Sequence, residues 1–135
     1  MPALKIFVPE ARIAEEKFDW LGAADQYVSF LKSTNVHENG KNALKFQLYL
    51  YDRIIYDYIR AAFQSKNVEQ YKARVDIAIS FCNEAKEKSL SAHEVRIIPP
   101  SFFEAKSLEL RSWLDETPSS RREMAGDSVV GKRTR

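Results

Sequence analysis

The feature that most constrains the fold is a long stretch, residues 43–64, that contains neither glycine nor proline. At about 100° per residue, its apolar side chains cover roughly half of a helical cylinder. These side chains are Leu44, Leu48, Tyr51, Ile54, Ile55, Tyr58, Ile59 and Ala62. The polar residues assigned to the opposite arc are Lys45, Asp52, Arg53, Asp57, Arg60 and Gln64. We therefore predict one helix at the centre of the fold, with Tyr51, Ile55 and Tyr58 buried.

Two flanking segments also have the periodicity of amphipathic helices. The first runs from Pro9 to Lys32. Its apolar stripe is Ile13, Trp20, Ala24, Tyr27 and Leu31, and its polar face is Arg12, Glu15, Asp19 and Gln26. The second begins after Asn67, a residue suited to capping a helix N-terminus, with Gln70 three positions later. Its apolar stripe is Val68, Tyr71, Val75, Ala78, Ile79, Cys82 and Ala85.

The connections between these segments predict how the helices are arranged. Residues 33–42 are polar and contain Asn39-Gly40, a pair typical of turns. Ser101 and Glu104 have the spacing of a capping box, which predicts the start of a last helix ending near Asp115. Short connections make successive helices antiparallel neighbours. The predicted fold is an all-α, antiparallel three- to four-helix bundle, with stacked helical hairpins as the alternative.

Composition divides the chain into three parts: an apolar leader at residues 1–8, a helical domain at residues 9–116, and a basic tail at residues 117–135. The whole chain of 135 residues has a formal net charge of +2. Five lysines and arginines stand against two acids in the tail, so residues 1–116 carry 16 minus 17 charges, or −1. The tail has almost no side chains to bury, and we predict that it is disordered when free.

No motif for catalysis, metal binding or cofactor binding is recognisable in the sequence. His37 and His93 lie in connectors without a cysteine or an acid at ligand spacing. The one cysteine, Cys82, falls on an apolar stripe and is predicted to be a buried small hydrophobe, which fits a reducing compartment. We expect a protein that is not an enzyme and uses no metal and no cofactor.

The sequence contains no recognisable targeting signal. It has no apolar run of the length that a membrane span needs, and residues 1–8 do not have the pattern of a secretory signal. We expect no membrane partner and a cytoplasmic location, with the nucleus as the alternative.

A second set of apolar residues indicates a binding surface. Tyr49, Tyr56 and Phe63 recur every seven residues among the charges of the central helix, and Ile77 and Phe81 point away from the stripe of the next helix. A central helix can bury two stripes, so the alternative interpretation is that these side chains belong to the core. Tyrosine favours sites where an apolar body meets water, which is typical of interfaces. The leading hypothesis is a protein-interaction module (adaptor, chaperone or assembly subunit) that uses these five residues to bind a protein partner or to form a homo-oligomer.

The alternative hypothesis is nucleic-acid binding through the basic tail. Its cations can neutralise phosphates and give weak, sequence-independent binding, whereas the near-neutral body has no such footprint. The residues concerned are Arg121, Arg122, Lys132, Arg133 and Arg135. A small helical dimer that binds double-stranded RNA by shape is the concrete form of this hypothesis.

One short pattern resembles a known family. Residues 48–52, Leu-Tyr-Leu-Tyr-Asp, followed by residues 66–69 and by the alanine-bounded segment 78–85, are similar to the leading helical pair of the flagellin export chaperones. The resemblance implies a small helical bundle that wraps an unfolded export substrate, which is a third functional hypothesis.

Overall fold

The computed structural model describes residues 8–33, 36–90 and 98–116, and for residues 36–43 it describes the backbone alone. These residues form five α-helices and no strand, which confirms the all-α prediction. The helices are α1 (Pro9–Glu16), α2 (Trp20–Ser33), α3 (Val36–Phe63), α4 (Val68–Leu90) and α5 (Pro100–Glu116). The predicted leader up to residue 7 and the predicted tail lie outside the described residues.

Helix α3 is central because it contributes to both apolar clusters of the core. One cluster joins α3 to α4 and α5, and includes Leu48, Tyr51, Ile55, Val75, Ile79, Cys82, Phe103 and Leu110. The other joins α3 to α1 and α2, and consists of Val8, Ala11, Tyr27, Leu50 and Ile54. Burial of Tyr51 and Ile55 is confirmed, whereas Tyr58 is half-buried beside both clusters.

The prediction of a single helix from Pro9 to Lys32 is wrong, because the chain turns between α1 and α2. Phe18 adopts a left-handed φ of 62°. The Phe18 N–H donates to Glu15 O and the Asp19 N–H to Ala14 O, which is the hydrogen-bond pattern of a Schellman motif. The Asp19 carboxylate then accepts from the Gly22 N–H and caps α2. This break raises the number of helices to five and leaves Ile13, predicted to be buried, half exposed.

Two other boundaries differ from their predictions. The turn at Asn39-Gly40 is absent, because α3 already begins at Val36. An isolated glycine in a helix costs only about 1 kcal/mol relative to alanine, which the long helix tolerates. Helix α5 begins at Pro100 instead of after a Ser101 cap, since proline fits the first helical position. The Asn67 cap is confirmed, as its side-chain oxygen accepts from the Gln70 N–H at 2.8 Å.

Cys82 lies fully buried on α4, as predicted. Burial raises the pKa of its thiol to about 12, and only the thiolate is a good nucleophile. We therefore expect Ellman's reagent to react with Cys82 at the rate of unfolding in native conditions and rapidly in denaturant. Since the chain holds one cysteine, the absorbance change reports this residue alone. Rapid reaction in the native state would contradict the placement of Cys82 in the core.

Candidate functional site

A groove with a volume of about 430 Å³ runs between α2 and α4, with α3 as its floor. Its apolar walls are Val28 and Leu31 from α2 and Phe81 from α4, all half-buried. The charged residues along its edges are Lys32, Glu84 and Lys88. The floor is formed by Gln47 and Tyr51 of α3. Half of the eight lining residues are polar or charged, so the groove is amphipathic, with apolar contacts on its α2 and α4 walls.

The two floor residues differ in their hydrogen bonding. The Tyr51 hydroxyl hydrogen bonds to Glu84, and burial together with this neighbouring charge raises the pKa of Tyr51, so the phenol is neutral. Gln47 is 5% exposed, and its side-chain oxygen Oε1 accepts no hydrogen bond from any described residue. A buried acceptor without a donor costs about 1–3 kcal/mol. The groove floor thus contains one buried acceptor that no described residue satisfies, and the Gln47 side chain must turn toward the groove before a ligand can reach it.

The five residues predicted as a partner-binding surface have different structural environments. Tyr56 is exposed and packs edge-on against Trp20, with the ring centroids 5.9 Å apart. Ile77 is exposed on α4, and Tyr49 is half-buried. Phe63 packs against the core, and its ring centroid lies 5.7 Å from that of Trp113. Phe81 stacks on Tyr58 and lines the groove.

Most residues of the groove were not predicted from the sequence. The sequence places Leu31 on an apolar stripe, as an ordinary core position, whereas Gln47 carries no such prediction. A signal was present, because Gln47 lies four residues before Tyr51 and eleven before Tyr58, and so on the apolar stripe. The basic tail residues of the nucleic-acid hypothesis lie outside the described residues.

A second unusual site is a buried pair of carboxyl groups between α1 and α3. Asp57, predicted to face solvent, is 0% exposed, and Glu15 of α1 is also buried. Both predictions of a polar face are wrong at these positions, because α1 and α2 together cover this side of α3. The Arg53 Nε donates to Glu15 Oε2 at 2.9 Å, instead of forming the intrahelical pair with Asp57 that their spacing suggests.

Asp57 has an environment that opposes its negative charge. No N–H or O–H group of the described residues donates to either of its oxygens. The acidic neighbour that acts on Asp57 is the Glu15 carboxyl, and two carboxyl groups hydrogen bond only when one is protonated. Burial first, and then Glu15, raise the pKa of Asp57 to about 9.

The remaining chemistry of the described residues is limited. No group of three or more His, Cys, Asp and Glu residues in these parts of the chain has an arrangement that holds a metal ion. None of the described helices combines the length and the apolar character needed to cross a membrane.

Comparisons with known protein families, curated proteins and solved structures give no match to this chain. The resemblance to the flagellin export chaperones therefore stays a prediction, and function is argued from the geometry.

Proposed function

We propose that this chain is a non-enzymatic protein-interaction module, and that the groove between α2, α3 and α4 binds an extended apolar segment of a partner protein. The observation that carries the proposal is the buried Gln47 oxygen without a donor on the floor of a groove that has apolar side chains on both walls. Natural proteins rarely leave a buried acceptor unpaired. Rotation of the Gln47 amide toward the groove would let a bound segment supply the missing donor while the segment covers the apolar walls.

The unused acceptor favours an extended segment over a helical one. An α-helix uses its own N–H groups in internal hydrogen bonds beyond its first turn. An extended segment keeps N–H groups free and projects alternate side chains to opposite sides. One of these N–H groups can donate to Gln47 Oε1, while neighbouring apolar side chains contact Val28, Leu31 and Phe81.

The charges at the edges of the groove give the segment a preferred composition. Lys32 of α2 is exposed at one edge, and Glu84 of α4 already accepts the hydrogen bond of Tyr51. An acidic residue near the apolar part of the segment would therefore be favoured. Such exposed charges contribute about 1 kcal/mol or less each, so the apolar contacts dominate the affinity.

Selection of short random peptides displayed on phage, against the full chain, tests this proposal. The binding of selected peptides is then measured by fluorescence anisotropy on two groove variants. Leu31→Glu places a charge on the apolar wall and is expected to abolish binding. Gln47→Met keeps the volume but removes the acceptor, and is expected to weaken binding by about 3- to 10-fold, the equivalent of one hydrogen bond.

The matched control is Leu108→Glu, which makes the same change at an exposed position of α5 outside the groove. This variant should bind the selected peptides as the unmodified chain does. Peptides whose binding is insensitive to both groove variants would overturn the proposal.

A further inference from the structure

The buried carboxyl pair lies between α1 and α3, and the core holds α3 more firmly than α1. Helix α1 is eight residues long, and of its own residues only Ala11 and Glu15 are buried. Helix α3 is held from both sides by the two clusters of the core. Helix α1 also packs along α2, so a change in the pair that disfavours contact between α1 and α3 loosens α1 and not α3.

We propose that Glu15 and Asp57 share a single proton, and that this proton keeps α1 packed against α3. The inference goes beyond the proposed function, because it concerns how α1 is held in the fold and not what the groove binds. It is based on the full burial of Asp57, the absence of a described donor to either of its oxygens, and the adjacent Glu15 carboxyl.

Counting the charges explains why one proton is the stable number. Glu15 and Asp57 carry two negative charges when both are ionised, and Arg53 supplies one positive charge. One shared proton makes this group neutral, which removes the cost of burying an unpaired charge. The outer partner, Arg12, lies 3.7 Å from Glu15 on the solvent side, where water screens its charge. From α2, Tyr27 faces the same group, and burial raises the pKa of its hydroxyl, so it remains neutral.

Loss of the proton leaves one uncompensated negative charge in the interior. Separation of α1 from α3 lets water reach both carboxylates. It also uncovers Tyr27, Leu50 and Ile54, which share a cluster with Val8 and Ala11. Because Val28, Leu31 and Phe81 pack against that cluster and also line the groove, release of α1 would loosen the groove walls.

The direction of the pH effect follows from where the proton is bound. When α1 is packed, the pair retains its proton well above the ordinary titration range of an aspartate, and when α1 is released it does not. The packed state therefore binds more protons, and its stability falls as pH rises between about 4 and about 9. The equilibrium for opening of α1 should increase by up to about tenfold per pH unit in this window.

Amide hydrogen exchange of the full chain, corrected for the intrinsic effect of pH on exchange, tests the proposal. Protection of the α1 amides should fall about 100-fold or more between about pH 5 and about pH 8, whereas protection in α4 changes little. In Asp57→Asn, which mimics the protonated acid, the protection of α1 should not depend on pH. Glu15→Gln mimics the protonated partner and should have the same effect, which keeps the test valid if one variant folds poorly.

The control is Asp76→Asn, which removes an exposed carboxylate of α4 and should retain the pH dependence of the unmodified chain. Protection of α1 that is independent of pH in the unmodified chain would overturn the proposal. A fall in α1 protection with pH that is as large in Asp57→Asn and Glu15→Gln as in the unmodified chain would also overturn it.

Discussion

Replacement of Arg53 by methionine is expected to lower the free energy of unfolding by about 2–3 kcal/mol near neutral pH. Arg53 is the cation that compensates the carboxyl pair, with its Nε 2.9 Å from Glu15 Oε2. Methionine keeps an apolar stem but leaves a buried carboxylate without its partner. The loss falls below the range for fully buried ion pairs because the Arg53 side chain is 39% exposed and partly screened.

Unfolding in urea, measured by circular dichroism, gives this value directly. Arg60→Met is the matched control, since Arg60 is exposed on the same helix and its guanidinium lies over the Trp20 ring. That variant should lose less than about 1 kcal/mol. Adding Glu15→Gln to Arg53→Met should restore much of the lost stability, because it removes the charge left unpaired. Equal losses in Arg53→Met and Arg60→Met would contradict a compensating role for Arg53.

Truncation of Phe103 to alanine is expected to have the largest effect, a loss of about 3–5 kcal/mol. Phe103 is fully buried in the cluster that joins α5 to α3 and α4. Removing its ring leaves a cavity that the surrounding helices cannot close without moving α5. Thermal and urea unfolding of the purified variant provide the measurement.

The adjacent residue offers a closely matched control for this variant. Phe102 is 40% exposed, and its ring contacts Phe103 edge-on at a centroid distance of 5.2 Å. Phe102→Ala should therefore cost about 1 kcal/mol, the worth of one aromatic pair. Similar losses at the two positions would show that α5 packs through another face.

Helical periodicity was sufficient to predict the centre of the fold. The stripes of α3 and α4 identify Leu48, Tyr51, Ile55, Val75 and Cys82, all of which are buried. The break before α2 was missed because residues 17–19 contain neither glycine nor proline. A phenylalanine occupies the left-handed position of the Schellman motif, where glycine is usual.

The carboxyl pair and the groove escaped prediction for different reasons. Asp57 was assigned to solvent by its charge, although it follows Ile54 by three residues and Leu50 by seven, on a buried face of α3. Its burial was therefore indicated by position. The groove requires the relative placement of three helices, which periodicity within single helices does not specify.

Photo-crosslinking is the most direct test of whether the groove binds an extended segment. A peptide selected on the full chain is synthesised with a benzophenone side chain in place of one apolar residue, and the adducts are located by mass spectrometry. If the segment binds in the groove, we expect adducts at Val28, Leu31 or Phe81, and we expect these adducts to be lost in Leu31→Glu. Adducts at the exposed apolar residues of α5, Phe102 and Leu108, with none in the groove, would contradict it.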